Sequence, residues 1–346
     1  MKLILKNYIN NMIHCLLLVL ISIGFYGCGN KLSDGTSSEL SGIVKLDGSS
    51  TVFPISEAVA EEFQRGNRGI RVTVGVSGTG GGMKKFGKNE IDITSASRPI
   101  KPKEIELCIE NSIEFVELPV AYDGIVVVVN TENFWCSSMT VEELKLLWSP
   151  EAQKIITHWN QIRPDWPKKQ IHLFGAGADS GTYDYFTKAI VGKEHSSRGD
   201  FTASEDDNVL VHGVSTNRYA LGFFGYGYYF ENKEKLKLIS IDDDNDSNGK
   251  GPITPDATTI ENGTYQPLSR PIFIYVNKQS ADKNHVNAFV EFYLKNGGAL
   301  ASEVGYVALS DSIYKLVVDR YRNRTLGSVF GTAGSKVGVS LDKVLK

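Results

Sequence analysis

Residues 113–130 read IEFVELPVAYDGIVVVVN, and this stretch decides the fold. Apolar, largely β-branched residues follow one another with hardly a break. A strand with one wet face would alternate, so the run fits strands buried on both faces. Strands of that kind need helices to cover them. TVEELKLLW (140–148) follows as an amphipathic helix, with Thr140 as cap and acids in its first turn. Upstream, GIVKLDGSSTVFPI (42–55) opens with strand alternation, and Pro54 stands near a helix start that places Ile55, Val59 and Phe63 on one face. GIRVTVGVSGTGGGMKKF (69–86) and KKQIHLFGAGADSGTYDYF (168–186) each repeat strand, turn, helix, and EIDITSASRPI (90–100) is a strand ending in a polar turn. LSRPIFIYVN (268–277) is a late strand before two helices, HVNAFVEFYLKNGG and DSIYKLVVDRYRNR. The expected class is α/β with largely parallel sheets. There is no internal repeat and no second linker. Two lobes that share the chain discontinuously, joined by crossing strands, are therefore expected.

Composition narrows the function. The 346 residues are 41% hydrophobic and 22% charged, and the formal charge is -3, so there is no basic field for nucleic acid. The N-terminus reads as a targeting segment. Lys2 and Lys6 precede the apolar CLLLVLISIGFYG (15–27), which is short for a membrane span. Gly27 and Cys28 then lead into the polar GNKLSDGTSSELSG. A small residue, a cysteine and a soft linker resemble a bacterial lipoprotein signal, although Phe25 and Tyr26 depart from the usual pattern. The expectation is a signal peptide over 1–27, lipid on Cys28 and a tether over 28–40. Cys108 and Cys136 remain in an exported, oxidising setting, where a disulfide between them is expected and two buried thiols are the alternative.

Four turns combine hydroxyls with glycines or a cation: GSSTVFP (48–54), SGTGGGMKKF (77–86), TSASRP (94–99) and DSGTYDYF (179–186). Glycine admits close backbone approach, and hydroxyls and N–H groups at helix starts donate to an oxyanion. Arg98 would add a charge-assisted, bidentate donor. One such turn is an ordinary helix cap. Four in one chain, each at the carboxyl end of a strand, point to an anion site. SGTGGGMKK lacks the Lys-Ser/Thr ending of a P-loop, and GAGADSG lacks the third glycine of a dinucleotide fingerprint. GADSG is not a nucleophile elbow, and no motif sets a histidine against Ser180. DDDNDSNG (242–249) begins like a calcium loop but has Pro255 where a bidentate glutamate belongs, so a solvated loop is expected. The aromatic GFFGYGYYF (222–230) is expected in a core or a lobe interface. No cofactor is implied.

These segments together resemble the phosphate-binding proteins of Pst-type ABC transporters. DGSSTVFPISEAVAEEF, SGTGGG, SASRPI, PVAYDGIVVVVN, TVEELKLLW, ADSGTYDYF, ALGFFGYGYY and NRTLGSVF run in order from Asp47 to Phe330. The resemblance implies a type II periplasmic binding protein: lobe I over 41–124 and 270–346, lobe II over 125–269, and two crossing strands with the ligand in the cleft. It implies phosphate held by Ser50, Thr51 and the Val52 backbone, by Thr79 and Gly80, and by Ser180, Gly181 and Thr182. It implies a non-enzymatic, monomeric receptor, exported and lipid-anchored, that delivers phosphate to an ABC permease. The best-known branch carries an aspartate where Arg98 stands, and an arginine near Gly175. The acceptor for the phosphate proton is thus open among Asp179, Asp123, Ser97 and Ser95. Receptors for sulfate, molybdate or a phosphonate, and a secreted phosphatase or serine hydrolase using Ser180, are the competing readings.

Overall fold

The computed structural model describes residues 40–331 and 341–345. The expected signal peptide, Cys28 and the tether up to residue 39 lie outside the described residues.

Strands and helices alternate from the start: β1 (Gly42–Gly48), α1 (Phe53–Gly66), β2 (Ile70–Val76), α2 (Gly78–Gly87), β3 (Ile93–Ala96) and α3 (Pro102–Glu110). The alternation of β1 buries Val44 and Leu46 and leaves Ile43 and Lys45 exposed. Pro54 starts α1, which buries Ile55, Val59 and Phe63 as its spacing predicts. The deciding run forms β4 (Phe115–Asn130), buried along its length except at Tyr122. Next come β5 (Ser138–Thr140), α4 (Val141–Trp148), β6 (His172–Ala176), α5 (Gly181–Phe186), β7 (Thr202–Ser204), α6 (Asp207–Ser215), β8 (Ala220–Gly225) and α7 (Tyr226–Glu231). The chain continues with β9 (Leu236–Leu238), β10 (Ser240–Asp242), α8 (Ala257–Glu261), β11 (Ser269–Asn277), α9 (Lys278–Ala281), α10 (Asn284–Glu303), α11 (Asp311–Arg322) and a short α12 (Leu341–Val344). Thr140 caps α4 in a reciprocal box: its Oγ1 accepts from the Glu143 N–H at 3.1 Å, and Glu143 Oε2 accepts from the Thr140 N–H at 2.9 Å.

The strand order is β2-β1-β3-β11-β4-β8-β6-β7, with β9 also on β4. β1 pairs in parallel with β2 and β3, and β6 in parallel with β7 and β8. The long strands β4 and β11 run antiparallel to each other, with Asp123 opposite Arg270. β4 pairs with β11 up to Gly124 and with β8 from Ile125 onward. One strand therefore belongs to both halves of the sheet.

The apolar interior divides at the same place. One cluster holds residues from Val44 to Ala121 and from Ile272 onward. A second runs from Ile125 to Leu268 and includes Val307, and a smaller third lies on the other face of β4 and β8. This is the α/β architecture with crossing strands of a type II periplasmic binding protein. The aromatic stretch is shared out. Phe223 stacks on Phe186 with centroids 3.8 Å apart, Phe224 joins the third cluster, and Tyr228 and Tyr229 pack against it. The acidic stretch 242–249 forms short turns in which Asp242 and Asp243 accept from the N–H groups of Asp244 and Asn245.

The expected disulfide is not formed. Cys108 on α3 lies in the first cluster and Cys136, before β5, in the second; both are free and buried. The two thiols sit under different halves of the sheet, so no local movement brings them to bonding distance. Burial pushes the Cys108 thiol up to about 11 and the Cys136 thiol up to about 12. Thiolate is the reactive form. In a soluble protein lacking residues 1–28, both cysteines are therefore expected to resist a thiol reagent at pH 8 while folded. Both should titrate at once in guanidinium. Finding no free thiol after unfolding would contradict the fold as described.

Candidate functional site

All four hydroxyl-bearing turns follow strands: β1, β2, β3 and β6 lead into them in turn. At the end of β1, a Cβ on Gly48 would lie 2.2 Å from the Ser95 carbonyl oxygen, and the φ of Gly48 is 150°. Only glycine lets β1 lie this close to the end of β3. The Ser49 N–H donates to the same carbonyl at 3.1 Å. Ser50, Thr51 and Val52 follow and are buried. Their backbone is fixed from a distance: the Tyr228 hydroxyl donates to the Ser50 carbonyl at 3.1 Å, and the Tyr306 hydroxyl donates to that of Thr51.

The second and third turns meet each other. Thr79 Oγ1 and Ser97 Oγ are 3.2 Å apart, and the Ser97 N–H donates to Thr79 Oγ1 at 3.2 Å. The fourth turn closes on both from the other half of the sheet. Ser180 Oγ accepts the Thr182 N–H at 3.2 Å, as a helix cap does. Thr182 Oγ1 lies 2.9 Å from Thr51 Oγ1, across 131 residues of sequence. The Gly80 N–H donates to the Asp179 carbonyl at 2.8 Å. A Cβ on Gly181 would lie 2.6 Å from Ser97 Oγ, 2.8 Å from Thr79 Oγ1 and 3.0 Å from Arg98 Cγ. Gly181 is thus the point where the second, third and fourth turns converge, and the absence of a side chain is what permits it; the first turn joins them through the Thr51–Thr182 pair. Two expected backbone donors already have protein acceptors: Val52 donates to the Ser49 carbonyl at 3.2 Å, and Gly80 to Asp179.

Arg98 stands in this cluster, 2% exposed, but its charge is compensated. Its Nε donates to Asp184 at 2.6 Å, Nη1 to Glu104 and the Pro99 carbonyl, and Nη2 to Glu104 at 2.7 Å. Four of its five N–H groups are engaged. Burial works against its charge, yet Glu104 and Asp184 overcome it and hold its pKa above the usual value. Lys101 Nζ also donates to Asp184 at 2.7 Å, and His195 Nε2 is 2.9 Å from the other carboxylate oxygen. Sequence reasoning placed Arg98 at the site but did not foresee Glu104 and Asp184 around it.

It also missed Arg270. This guanidinium is 1% exposed and bonds Asp123 Oδ2 through Nε at 3.2 Å and Nη2 at 3.0 Å. It further donates to the Gly181 carbonyl at 3.0 Å and to Thr182 Oγ1 at 2.7 Å. Asp123 Oδ1 accepts the Tyr226 N–H at 3.2 Å. Burial pushes the Asp123 carboxyl up and Arg270 pulls it back, with the balance above the usual range. A signal existed: a charged residue in a strand read as buried on both faces needs a partner, and β4 and β11 each bring one to the crossing. Of the other acceptor candidates, Asp179 has a side chain 54% exposed beside Lys84. Ser95 Oγ is buried with no partner among the described residues.

Residues 35–296 match the model of the PBP superfamily domain. The chain is 50% identical over 304 residues to protein SphX of Synechococcus elongatus, covering 88% of each chain. It is 37% identical over 295 residues to the phosphate-binding protein PstS of Staphylococcus aureus, covering 84% of this chain and 86% of that one. Among solved structures, a possible phosphate binding protein from Planctomyces limnophilus is 44% identical. It superposes with a TM-score of 0.61, covering 82% of this chain and 99% of its own. Domain match, identity and fold agree: the chain belongs to the SphX/PstS family of Pst-type phosphate-binding proteins, within the PBP superfamily.

Proposed function

We propose that the protein is an extracytoplasmic, high-affinity receptor for inorganic phosphate that hands its ligand to an ABC importer. The observation that carries this reading is the meeting of four strand-end turns, three of them at Gly181 and the first through Thr51, with the hydroxyls of Thr51 and Thr182 and of Thr79 and Ser97 within hydrogen-bond distance in pairs. Such a set of neutral donors strips an anion of water and replaces its hydration shell. No bond is made or broken, and the protein is a binding protein rather than an enzyme. The Ser180 hydroxyl serves as a helix cap. The relatives named PstS are phosphate-binding proteins, and the site here has the donors that such a ligand requires.

The lobes would be 41–124 with 270–346, and 125–269, opening about the paired strands β4 and β11. The division of the apolar clusters at residues 121/125 and 268/272 supports these limits. Phosphate would take the place of the Thr51–Thr182 hydrogen bond, accepting from Ser50, Thr51, Thr79, Ser180 and Thr182, with the Val52, Gly80 and Gly181 backbone around it. Arg98 keeps one N–H for it and Arg270 supplies a second cation. Asp123 is the proton acceptor this reading favours, because it is buried against Arg270, whereas Asp179 faces solvent beside Lys84. Hydrogen phosphate has a proton for Asp123 and sulfate has none, so sulfate meets a repelling carboxylate. Lipid on Cys28 would tether a monomer near the permease and raise its effective concentration there.

Calorimetric titration of the soluble form with phosphate, then sulfate, tests the reading. Phosphate should bind tightly and sulfate should fail to displace it. Equal binding of both would sink Asp123 as the selecting group and point to another oxyanion. A second test uses Gly181→Ala. Its added methyl falls 2.6 Å from Ser97 Oγ across the closed cleft. Overpacking of that kind costs about 1–3 kcal/mol, so phosphate affinity should fall roughly 5- to 150-fold. The melting temperature without phosphate should change little. Unaltered affinity would mean that the halves do not close about Gly181.

A further inference from the structure

We infer that Asp207 is a second acid of the anion site, one that must hold its proton for the anion to stay. The inference rests on the phosphate reading above.

Asp207 opens α6, at the carboxyl end of β7 and beside the turn that carries Ser180. The Gly177 N–H, three residues before Ser180, donates to the Ser204 carbonyl at 2.9 Å. Capping does not account for Asp207, because its neighbour Asp206 caps α6 by accepting the Asn208 N–H at 2.9 Å. Nor does an ion pair. Asp207 is 1% exposed, and among the described residues neither carboxylate oxygen has a hydrogen-bond partner. An ionised carboxylate in that position has lost its water with nothing in exchange, which strongly favours the protonated form.

Two of the charges that act on it, Asp123 and Arg270, belong to the site. Asp123, Arg270, Asp206 and Glu205 all act on the Asp207 carboxyl electrostatically. Tyr228 and Tyr306 feel Asp207 in turn, and these are the tyrosines that hold the carbonyls of Ser50 and Thr51. Three of the four charged neighbours are acids, and Arg270 is already paired with Asp123. Burial first, and the Asp123 charge next, push Asp207 up to about 8. Below that pH the carboxyl is neutral, a donor among donors. Above it, ionisation adds a second negative charge to that of Asp123, and the pair repels an anion held by the converging turns.

The test is phosphate affinity by calorimetry from pH 6.5 to 9.5, for wild type and Asp207→Asn. If the anion stays only with Asp207 protonated, wild-type Kd rises about 30-fold at pH 9.5 from this group alone. The asparagine cannot ionise. The ratio of wild-type to variant Kd should therefore climb by about that factor across the range, whatever its value at pH 6.5. A constant ratio overturns the inference and leaves the receptor reading intact. No phosphate binding at pH 6.5 overturns both.

Two measurements guard against a variant that does not fold. Wild-type binding at pH 9, compared in buffers of different ionisation enthalpy, should take up close to one proton per phosphate; no uptake overturns the proposal. Without phosphate, a carboxyl raised in the folded state lends stability that is complete below the unfolded value and lost as pH rises to about 8. The melting temperature of Asp207→Asn relative to wild type should accordingly rise between about pH 4 and pH 8 and then level. A flat difference overturns the assignment of that proton to Asp207.

Discussion

The ion pair between Asp123 and Arg270 is the interaction on which the rest of the molecule depends. The two residues face each other across β4 and β11, where both strands pass from one apolar cluster to the other. Both are 1% exposed. Two charges removed from water there are tolerable because each finds several partners. Arg270 reaches Asp123, the Gly181 carbonyl and Thr182 Oγ1, and Asp123 also accepts the Tyr226 N–H. Taking away one member of such a pair strands the other, at a cost of about 3–5 kcal/mol. The crossing is therefore fixed in register, and its charges lie directly beneath the converging turns.

Charge around the site is arranged in balanced groups. Arg270 answers Asp123, while Arg98, Lys101 and Lys188 answer Glu104, Asp184 and Glu194. The second group also spans the cleft, because Arg98 and Lys101 belong to the segment between β3 and α3, and Asp184 to α5. It acts as a strut that draws the fourth turn toward the second and third. A binding site that is closed by ion pairs and lined by neutral hydroxyls has a definite virtue for an anion receptor. On the receptor reading proposed above, affinity would come from many short donors brought together as the halves meet.

Asp207 is an exception to this balance. Every other buried acid near the crossing has a cation or an N–H to answer it, and among the described residues Asp207 has neither. Its proton substitutes for the missing partner. That makes the site's charge depend on pH in a way that its paired acids do not.

Much of this was legible in the amino-acid order. The run 113–130 read as strand buried on both faces, and the alternation about it implied an α/β fold. Pro54 and Thr140 marked their helix starts, and the four hydroxyl-bearing turns marked the ends of their strands. All of these are local features, set by backbone preference and by the spacing of apolar residues. What the order of residues could not give was pairing across long separations. Cys108 and Cys136 looked alike as thiols, and only the assignment of each to a different core kept them apart. Arg98 looked like a free donor until Glu104 and Asp184 were placed against it. Thr51 and Thr182 meet across 131 residues, and Asp123 meets Arg270 only because the two strands register at that position. Whether a buried charge is answered, and by what, is decided by tertiary packing, because an ion's energy in a protein depends on its surroundings in space rather than on its neighbours in the chain.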